Sequence, residues 1–179
     1  RISTDSHDIL GIPMHSIKVE EKDIDEKKLK RKIKQLKGSY TQKIPIFSSI
    51  RVKGKPLFYY ARRGMHEEIE IPEYSVTIKE IEIYDIYEIS SHRLLKEIIK
   101  KINLLEGDFR QEEIVKAWRK LLEGKDEKFK VVKVKIACSS GTYLRAIAQD
   151  IGKEYGGGML ISLKRTRVGK FEVRDALRI

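Results

Sequence analysis

The residues with the clearest chemical potential lie in one stretch, from Ile136 to Gly169. An apolar run ends at Cys138, a polar Ser-Ser-Gly-Thr break follows, and apolar residues then recur at helical spacing. Arg145 falls near the start of this helix, off its apolar face. A guanidinium stays charged at every physiological pH, and its forked donors hold a carboxylate in one orientation. Arg145 therefore has the chemistry to hold a carboxylate, and a surface ion pair is the alternative.

The elements around Arg145 are predicted to be a strand, a tight turn and a helix. Ser139 or Ser140 is the expected N-cap of the helix. Glycines at 156–158 end it, and a second strand-like segment continues to residue 169. Cys138 is expected to be an inert strand residue, and Asp150 a structural residue of the helix rather than a nucleophile.

A second stretch, residues 43–64, combines positive charge with aromatic rings. It contains no acidic residue, and its six cations are Lys43, Arg51, Lys53, Lys55, Arg62 and Arg63. The aromatic residues between them are Phe47, Phe58, Tyr59 and Tyr60. Cations neutralise phosphates, and aromatic rings stack on unpaired bases. The stretch therefore predicts an RNA-binding surface. An ordinary hairpin with an apolar underside is the alternative for some of the aromatic residues.

The composition also favours a polyanionic partner. The 179 residues carry a net charge of +11, and the two signs are segregated, since residues 67–88 hold eight acidic residues and one lysine. No run of about 18 apolar residues predicts a membrane span. The single cysteine excludes an internal disulfide and is typical of a cytoplasmic protein. The four histidines lack metal-ligand spacing, so no zinc site is predicted.

The remaining pattern predicts the elements that position these two stretches. In order, they are a loop over 1–11, a short strand over 16–21, a helix capped by Asp23 or Asp25 and continuing to Leu36, a short helix over 57–63, a long strand over 70–89, and a strand over 129–138. The long strand changes phase at Lys79–Glu80, which predicts a β-bulge. Two further helices, over 91–104 and 111–122, form a hairpin with Trp118 in a local core. The lysine-rich face of the first helix is interpreted as a solvated surface.

Three ordered segments of the chain resemble the TruB-type tRNA pseudouridine-55 synthases. They are TDSHDILG near the N-terminus, IPIFSSIRVKGKPLFYYARRG in the basic stretch, and CSSGTYLRAIAQDIG followed by LKRTRVG in the Arg145 stretch. The resemblance covers residues 1–90 and 129–177, and the order and spacing of the three segments make it specific.

This resemblance implies a fold and a reaction. The fold is α+β, with a mixed, mainly antiparallel sheet flanked by helices. The reaction is isomerisation of uridine to pseudouridine in the T-loop of tRNA, with one aspartate and no metal or organic cofactor. The target base must leave its stack to be reached.

The resemblance also implies roles for individual residues. Arg145 matches the arginine that pairs with the catalytic aspartate, Tyr143 matches an aromatic residue near the pocket, and Leu163 matches an apolar wall residue. The alternatives are that Tyr143 and Leu163 are packing residues. Residues 43–72 match the insertion, or thumb, that closes over the T-loop. The RNA contacts expected from the match are Phe47, Arg51, Lys53, Lys55, Tyr60, Arg62, Arg63, Lys164, Arg165 and Arg167.

The sequence departs from the family pattern in two places. The family nucleophile lies in a Leu-Asp-Pro type motif, and none of the nine aspartates here precedes a proline. We therefore expect residues 1–179 to be the C-terminal part of the catalytic domain, inactive alone, with the nucleophile part in cis or on a separate chain and the complete enzyme a monomer. The helical hairpin, residues 90–128, replaces a short turn of the family and has no predicted function.

Two other classes of function remain open from the sequence. One is a non-catalytic RNA-binding module that kept the scaffold and lost the aspartate. The other is a protein-interaction domain that uses the helical hairpin. A Leu-Asp-Pro motif upstream in the gene favours the enzyme, and protein capture from RNase-treated lysate favours the interaction domain.

Overall fold

The structure is a computed structural model that describes residues 2–16 and 24–176, without the side chains of residues 15 and 16. Its strands are β1 (Ile2–Thr4), β2 (Pro13–Ser16), β3 (Gly38–Lys43), β4 (Arg51–Val52), β5 (Lys55–Pro56), β6 (Glu73–Ser90), β7 (Lys128–Cys138), β8 (Arg167–Val168) and β9 (Phe171–Glu172). Its α-helices are α1 (Glu26–Gln35), α2 (Leu57–Arg62), α3 (Ser91–Ile102), α4 (Gln111–Leu122) and α5 (Leu144–Gly152). The predicted α+β class is confirmed. Most of the strand predicted over 16–21 lies outside the described residues.

An antiparallel sheet in the order β3–β6–β7 is the scaffold of the fold. The pairing of β6 with β7 is interrupted between Ile78 and Glu80 and again between Ile83 and Asp85. The first interruption confirms the bulge predicted at Lys79–Glu80. Bulges bend and twist a long strand, so β6 can pair with β3 at one end and with β7 along most of its length.

Helix α1 covers one face of this sheet. The Asp25 side chain accepts a hydrogen bond from the Lys27 backbone N–H at 2.8 Å, which confirms Asp25 as the N-cap. Leu29 and Ile33 are buried against apolar residues of β6 and β7. Lys27, Lys28, Lys30 and Lys34 are exposed, in agreement with a solvated surface, whereas Lys32 is half-buried and pairs with Glu154.

The α3–α4 hairpin builds the largest hydrophobic cluster in the described part of the chain. Trp118 is fully buried in it, together with Ile98 of α3 and with Ile2 and Ile9 of the N-terminal segment. The Trp118 indole donates a hydrogen bond to the Gly11 carbonyl at 3.0 Å. Trp118 thus lies in a local core, as predicted, and this core also includes residues of the N-terminal segment.

The N-terminal segment contains more structure than the loop predicted over 1–11. Strand β1 pairs with β2, and the turn between them is tied to the region around residue 160. Ile9 donates its backbone N–H to the Leu160 carbonyl at 3.1 Å, and Leu160 donates to the His7 carbonyl at 3.0 Å. These partners are too distant in sequence for local patterns to show. Of the strand-like segment predicted to continue to residue 169, the structure has one parallel bridge between Asp8 and Leu160 and the short strand β8.

No helix in the part of the chain that the structure describes is long and apolar enough to cross a membrane.

Candidate active site and RNA-binding surface

Helix α5 begins later than the sequence predicts. Its N-cap is Tyr143, so the prediction of Ser139 or Ser140 is wrong. Ser139 instead continues the pairing with β6, where its backbone N–H donates to the Thr77 carbonyl at 2.8 Å and its hydroxyl accepts from the Thr77 N–H at 3.0 Å. Gly141, with φ of 80°, completes the turn into the helix. Arg145 is thus the second residue of α5.

The Arg145 guanidinium joins three segments of the molecule. Its Nη1 donates to the Ser6 carbonyl at 2.8 Å and contacts Asp8 Oδ2 at 3.4 Å, and its Nη2 donates to the Phe47 carbonyl at 2.9 Å. The Arg145 side chain is 22% exposed and that of Asp8 is 21% exposed. The ion pair is therefore partly buried and reinforced by two backbone carbonyls, unlike the surface ion pair considered as an alternative.

Asp8 is a member of this site that the sequence argument did not single out. Its Oδ1 accepts from the Leu10 backbone N–H at 2.9 Å and from the Ser6 hydroxyl at 2.9 Å, which fixes the carboxylate with Oδ2 toward Arg145. The available signal was that TDSHDILG is one of the three segments that resemble the family.

Two buried polar atoms adjoin the residues that hold Arg145. His7 Nδ1 and Ser48 Oγ have no hydrogen-bond partner among the described residues, and they directly follow Ser6 and Phe47 in the chain. His7 also has a left-handed backbone, with φ of 63°. Burial, and then the nearby Arg145 charge, lower the pKa of His7, so its imidazole is neutral at pH 7.

Tyr143 links the start of α5 to β3 and to the thumb, residues 43–72. Its backbone N–H donates to Gln42 Oε1 at 2.8 Å, and Gln42 Nε2 donates back to the Tyr143 carbonyl at 3.2 Å. The Tyr143 side chain is half-buried and packs against the apolar cluster of the thumb. The structure thus supports the packing alternative, while a role of Tyr143 near the pocket stays a prediction.

The thumb has its own small core, which includes one of the expected RNA contacts. Tyr60 is buried beside Leu57 and Ile69, and its hydroxyl donates to the Val52 carbonyl at 3.0 Å. Tyr60 therefore belongs to the apolar underside and supports the thumb from within, while its assignment as an RNA contact stays a prediction.

The charged residues expected to contact RNA are all exposed. We call them the outer cations: they are Arg51, Lys53, Lys55, Arg62 and Arg63 of the thumb, and Lys164, Arg165 and Arg167 of the C-terminal segment. Arg63 stacks on the Tyr59 ring, 3.8 Å from its centroid. This contact presents an aromatic ring and a positive charge together at the surface.

The C-terminal segment does not bring Leu163 into a packed position. Leu163 is 54% exposed, so the alternative of a core residue is wrong, and its role as a pocket wall stays a prediction. The following β8–β9 hairpin exposes Val168 and Phe171 as well. Across residues 2–16 and 24–176, no group of three or more His, Cys, Asp or Glu side chains is arranged to hold a metal ion.

The family model and the relatives that match this chain are all of pseudouridine synthases. The model described as TruB family pseudouridylate synthase (N terminal domain) matches residues 1–100. The chain is 33% identical over 155 residues to tRNA pseudouridine synthase B of Corynebacterium diphtheriae, covering 86% of this chain and 39% of that protein. It is 35% identical over 142 residues to the protein of the same name from Desulfotalea psychrophila, covering 79% and 42%. For the Flavobacterium johnsoniae protein the identity is 32% over 157 residues, covering 87% and 50%. The chain thus spans 39–50% of the length of these three relatives.

Proposed function

The chain belongs to the TruB pseudouridylate synthase family, and on that premise we propose that it is part of an enzyme that isomerises uridine to pseudouridine in the T-loop of tRNA. The observation that carries the proposal is the setting of Arg145. A guanidinium fixed by the Ser6 and Phe47 carbonyls lies where the N-terminal segment, the thumb and α5 meet. Such a group suits a reaction that depends on one oriented carboxylate.

The chemistry defines what Arg145 contributes. The glycosidic C1′–N1 bond of the uridine breaks, the base turns, and a new bond forms between C1′ and C5, while C5 loses its proton and N1 gains one. Arg145 holds the catalytic carboxylate ionised and pointed at the reacting atoms. A guanidinium has five N–H donors, and the contacts with Ser6, Asp8 and Phe47 engage three of them among the described residues. Donors therefore remain for a second carboxylate.

We place the nucleophilic aspartate outside these 179 residues. Asp8 is the aspartate in contact with Arg145, but its Oδ1 already accepts two hydrogen bonds and orders the N-terminal turn. No aspartate of the sequence precedes a proline, and the relatives are about twice as long as the matched region, which supports a nucleophile on polypeptide beyond this sequence. Asp8 is thus assigned a positioning role toward Arg145.

The outer cations supply RNA affinity in this proposal. They are exposed and lie on the thumb and the C-terminal segment, which suits them to neutralise phosphates and release counterions. The proposal includes a cytoplasmic, monomeric enzyme that acts on tRNA.

The test is a pseudouridine assay on unmodified tRNA by carbodiimide modification and primer extension. The chain alone is compared with a version extended by the polypeptide encoded upstream, or by the N-terminal part of a relative. We expect turnover by the extended protein and none by the chain alone. Turnover by the chain alone would show that one of its own aspartates is the nucleophile. Tight tRNA binding by the extended protein without turnover would instead identify a non-catalytic RNA-binding module.

A further inference from the structure

A cavity of about 320 Å³ opens beside Arg145, and the inserted helical hairpin forms one of its walls. Ser6 and Asp8 line it from the N-terminal segment, Phe47 and Phe58 from the thumb, and Phe109 from the connection between α3 and α4. Phe47 and Asp8 are also contacts of Arg145, so the cavity adjoins the candidate active site. Its volume is at the lower end of the range of about 300–1,000 Å³ that small ligands occupy.

The α3–α4 connection is ordered by its own hydrogen bonds. Gln111 Oε1 accepts from the Phe109 backbone N–H at 2.8 Å, and Gln111 Nε2 donates to the Gly107 carbonyl at 2.6 Å. Arg110 adopts a left-handed backbone, with φ of 62°, which is uncommon for a residue other than glycine. This arrangement presents the Phe109 ring to the cavity while it stays 49% exposed. The loop therefore holds an aromatic ring at the surface in a fixed position.

Two arginines tie this loop to the rest of the site. The Arg110 guanidinium pairs with Asp5 at 3.0 Å and lies 4.7 Å from the centre of the Phe47 ring. Arg62 of the thumb donates to the Asp108 carbonyl at 3.0 Å. Both arginines line the cavity, and Asp8, the carboxylate among its lining residues, is already paired with Arg145. The cavity thus combines apolar aromatic walls with the positive charge of Arg62 and the donors of Arg110, whose charge is paired with Asp5.

We propose that this cavity binds an unpaired nucleotide of the RNA substrate, so that the α3–α4 hairpin is an RNA-recognition element of this protein. The proposal rests on the proposed function. Phe109 stacks on the base, as aromatic side chains do with unpaired bases of RNA loops, and Arg62 and Arg110 face the phosphate or sugar. The hairpin contacts the thumb through Arg62 and the Asp108 carbonyl, and this contact places a base beside the nucleotide that reacts.

The test compares the affinities of variants of this chain for a T-arm-type RNA stem-loop and for a fully paired RNA duplex of the same length. Phe109→Ala should weaken stem-loop binding about tenfold and leave duplex binding unchanged, because only the loop offers an unpaired base to stack. Phe109→Trp should retain the affinity. Leu104→Ala is the matched control: Leu104 lies on the same connection and is 74% exposed, but it does not line the cavity.

Crosslinking gives a second readout that needs no variant. Stem-loops with 4-thiouridine in the loop are irradiated with the native chain, and the crosslinked peptides are identified by mass spectrometry. Crosslinks to the peptide that contains Phe109 support the proposal.

Other outcomes overturn the proposal in distinguishable ways. Stem-loop binding that is normal in Phe109→Ala, with crosslinks confined to the thumb, refutes the cavity assignment but leaves the proposed function intact. Failure of the native chain to bind the stem-loop refutes the cavity assignment, and failure of the extended protein to bind it as well contradicts the proposed function. If Phe109→Ala weakens association with the upstream polypeptide and not with RNA, the cavity is a protein interface.

Discussion

Arg145 and the outer cations are chemically similar, but the fold places them in opposite environments. The Arg145 side chain is 22% exposed and bound to acceptors from segments far apart in the sequence. Lys164 and Arg165 belong to the same family-like segment of the sequence as Arg145. They are nevertheless exposed, and the neighbouring Leu163 is 54% exposed as well. A cation held by fixed acceptors in a partly buried site can orient a reacting carboxylate, whereas a solvated cation mainly adds affinity for phosphate.

This contrast depends first on the core that the α3–α4 hairpin forms with the N-terminal segment, because that segment carries two of the contacts of Arg145. Trp118→Ala should lower the free energy of unfolding by about 3–5 kcal/mol, because it empties a fully buried site and leaves the Gly11 carbonyl without its donor. Phe171→Ala, at a residue that is 71% exposed, is the control and should change stability by less than about 0.5 kcal/mol. Urea denaturation measures both. Equal effects would mean that the hairpin is not part of the core.

The second prediction concerns the outer cations. Reversing Arg51, Lys53 and Arg62 to glutamate should weaken tRNA binding about 100-fold at 0.1 M salt, because about three phosphate contacts are lost. The wild-type slope of log K against log salt should be about −3 for four contacts, and shallower in the variant. The matched control reverses Lys27, Lys28 and Lys30 on the exposed face of α1. Filter binding across a salt series decides between the thumb and α1 as the RNA-binding surface. A larger loss of tRNA affinity in the control variant would identify α1 as that surface.

A smaller effect is expected at the partner of Arg145. Asp8→Asn keeps an oxygen to accept from the Leu10 N–H but removes the negative charge that faces the guanidinium. We expect a loss of about 1 kcal/mol in stability, because the pair is partly buried. Asp150→Asn is the control, since Asp150 pairs with the exposed Lys153, and it should have almost no effect. Thermal unfolding measures both variants. Equal stability of the two would contradict a stabilising contact between Asp8 and Arg145.

The smallest predicted effect is a pH dependence at His7. Its pKa is lowered by burial and by Arg145, against raising contributions from Asp8, Asp150 and Asp5. The His7 imidazole therefore binds its proton at a higher pH in the unfolded chain, near 6.5, than in the folded chain. The free energy of unfolding is consequently at its full value above pH 6.5 and decreases as the pH falls below it. His7→Asn, which tolerates the left-handed backbone, should flatten the melting temperature between pH 7 and about 5. An unchanged pH profile would show that His7 does not titrate in this way.

The elements predicted correctly from the sequence are those whose patterns arise between neighbouring residues. The hydrophobic spacing of residues 111–122 gave the bounds of α4, and the phase change at Lys79–Glu80 gave the bulge, because both patterns arise within a few neighbouring residues. The N-cap of α5 was wrong because Ser139 pairs with Thr77, a partner 62 residues away.

The same distinction holds for the candidate site. Arg145 was recognised from its motif, but its contact with Asp8 spans 137 residues and is created by the fold. The cavity wall at Phe109 and the burial of Tyr60 also result from tertiary packing, which no periodicity within either segment reveals.

The most direct test of the contrast is to substitute Arg145 in the extended enzyme and measure its single-turnover rate and its tRNA affinity on the same substrate. Arg145→Ala should slow isomerisation by about 10²–10³-fold, equivalent to about 3–4 kcal/mol, while affinity changes little, because the phosphate contacts lie on the outer cations. Arg145→Lys should restore little, since one ammonium does not reproduce a two-pronged contact. If Arg145→Ala weakens binding as much as it slows the reaction, Arg145 is a phosphate contact and its assignment to the active site is wrong.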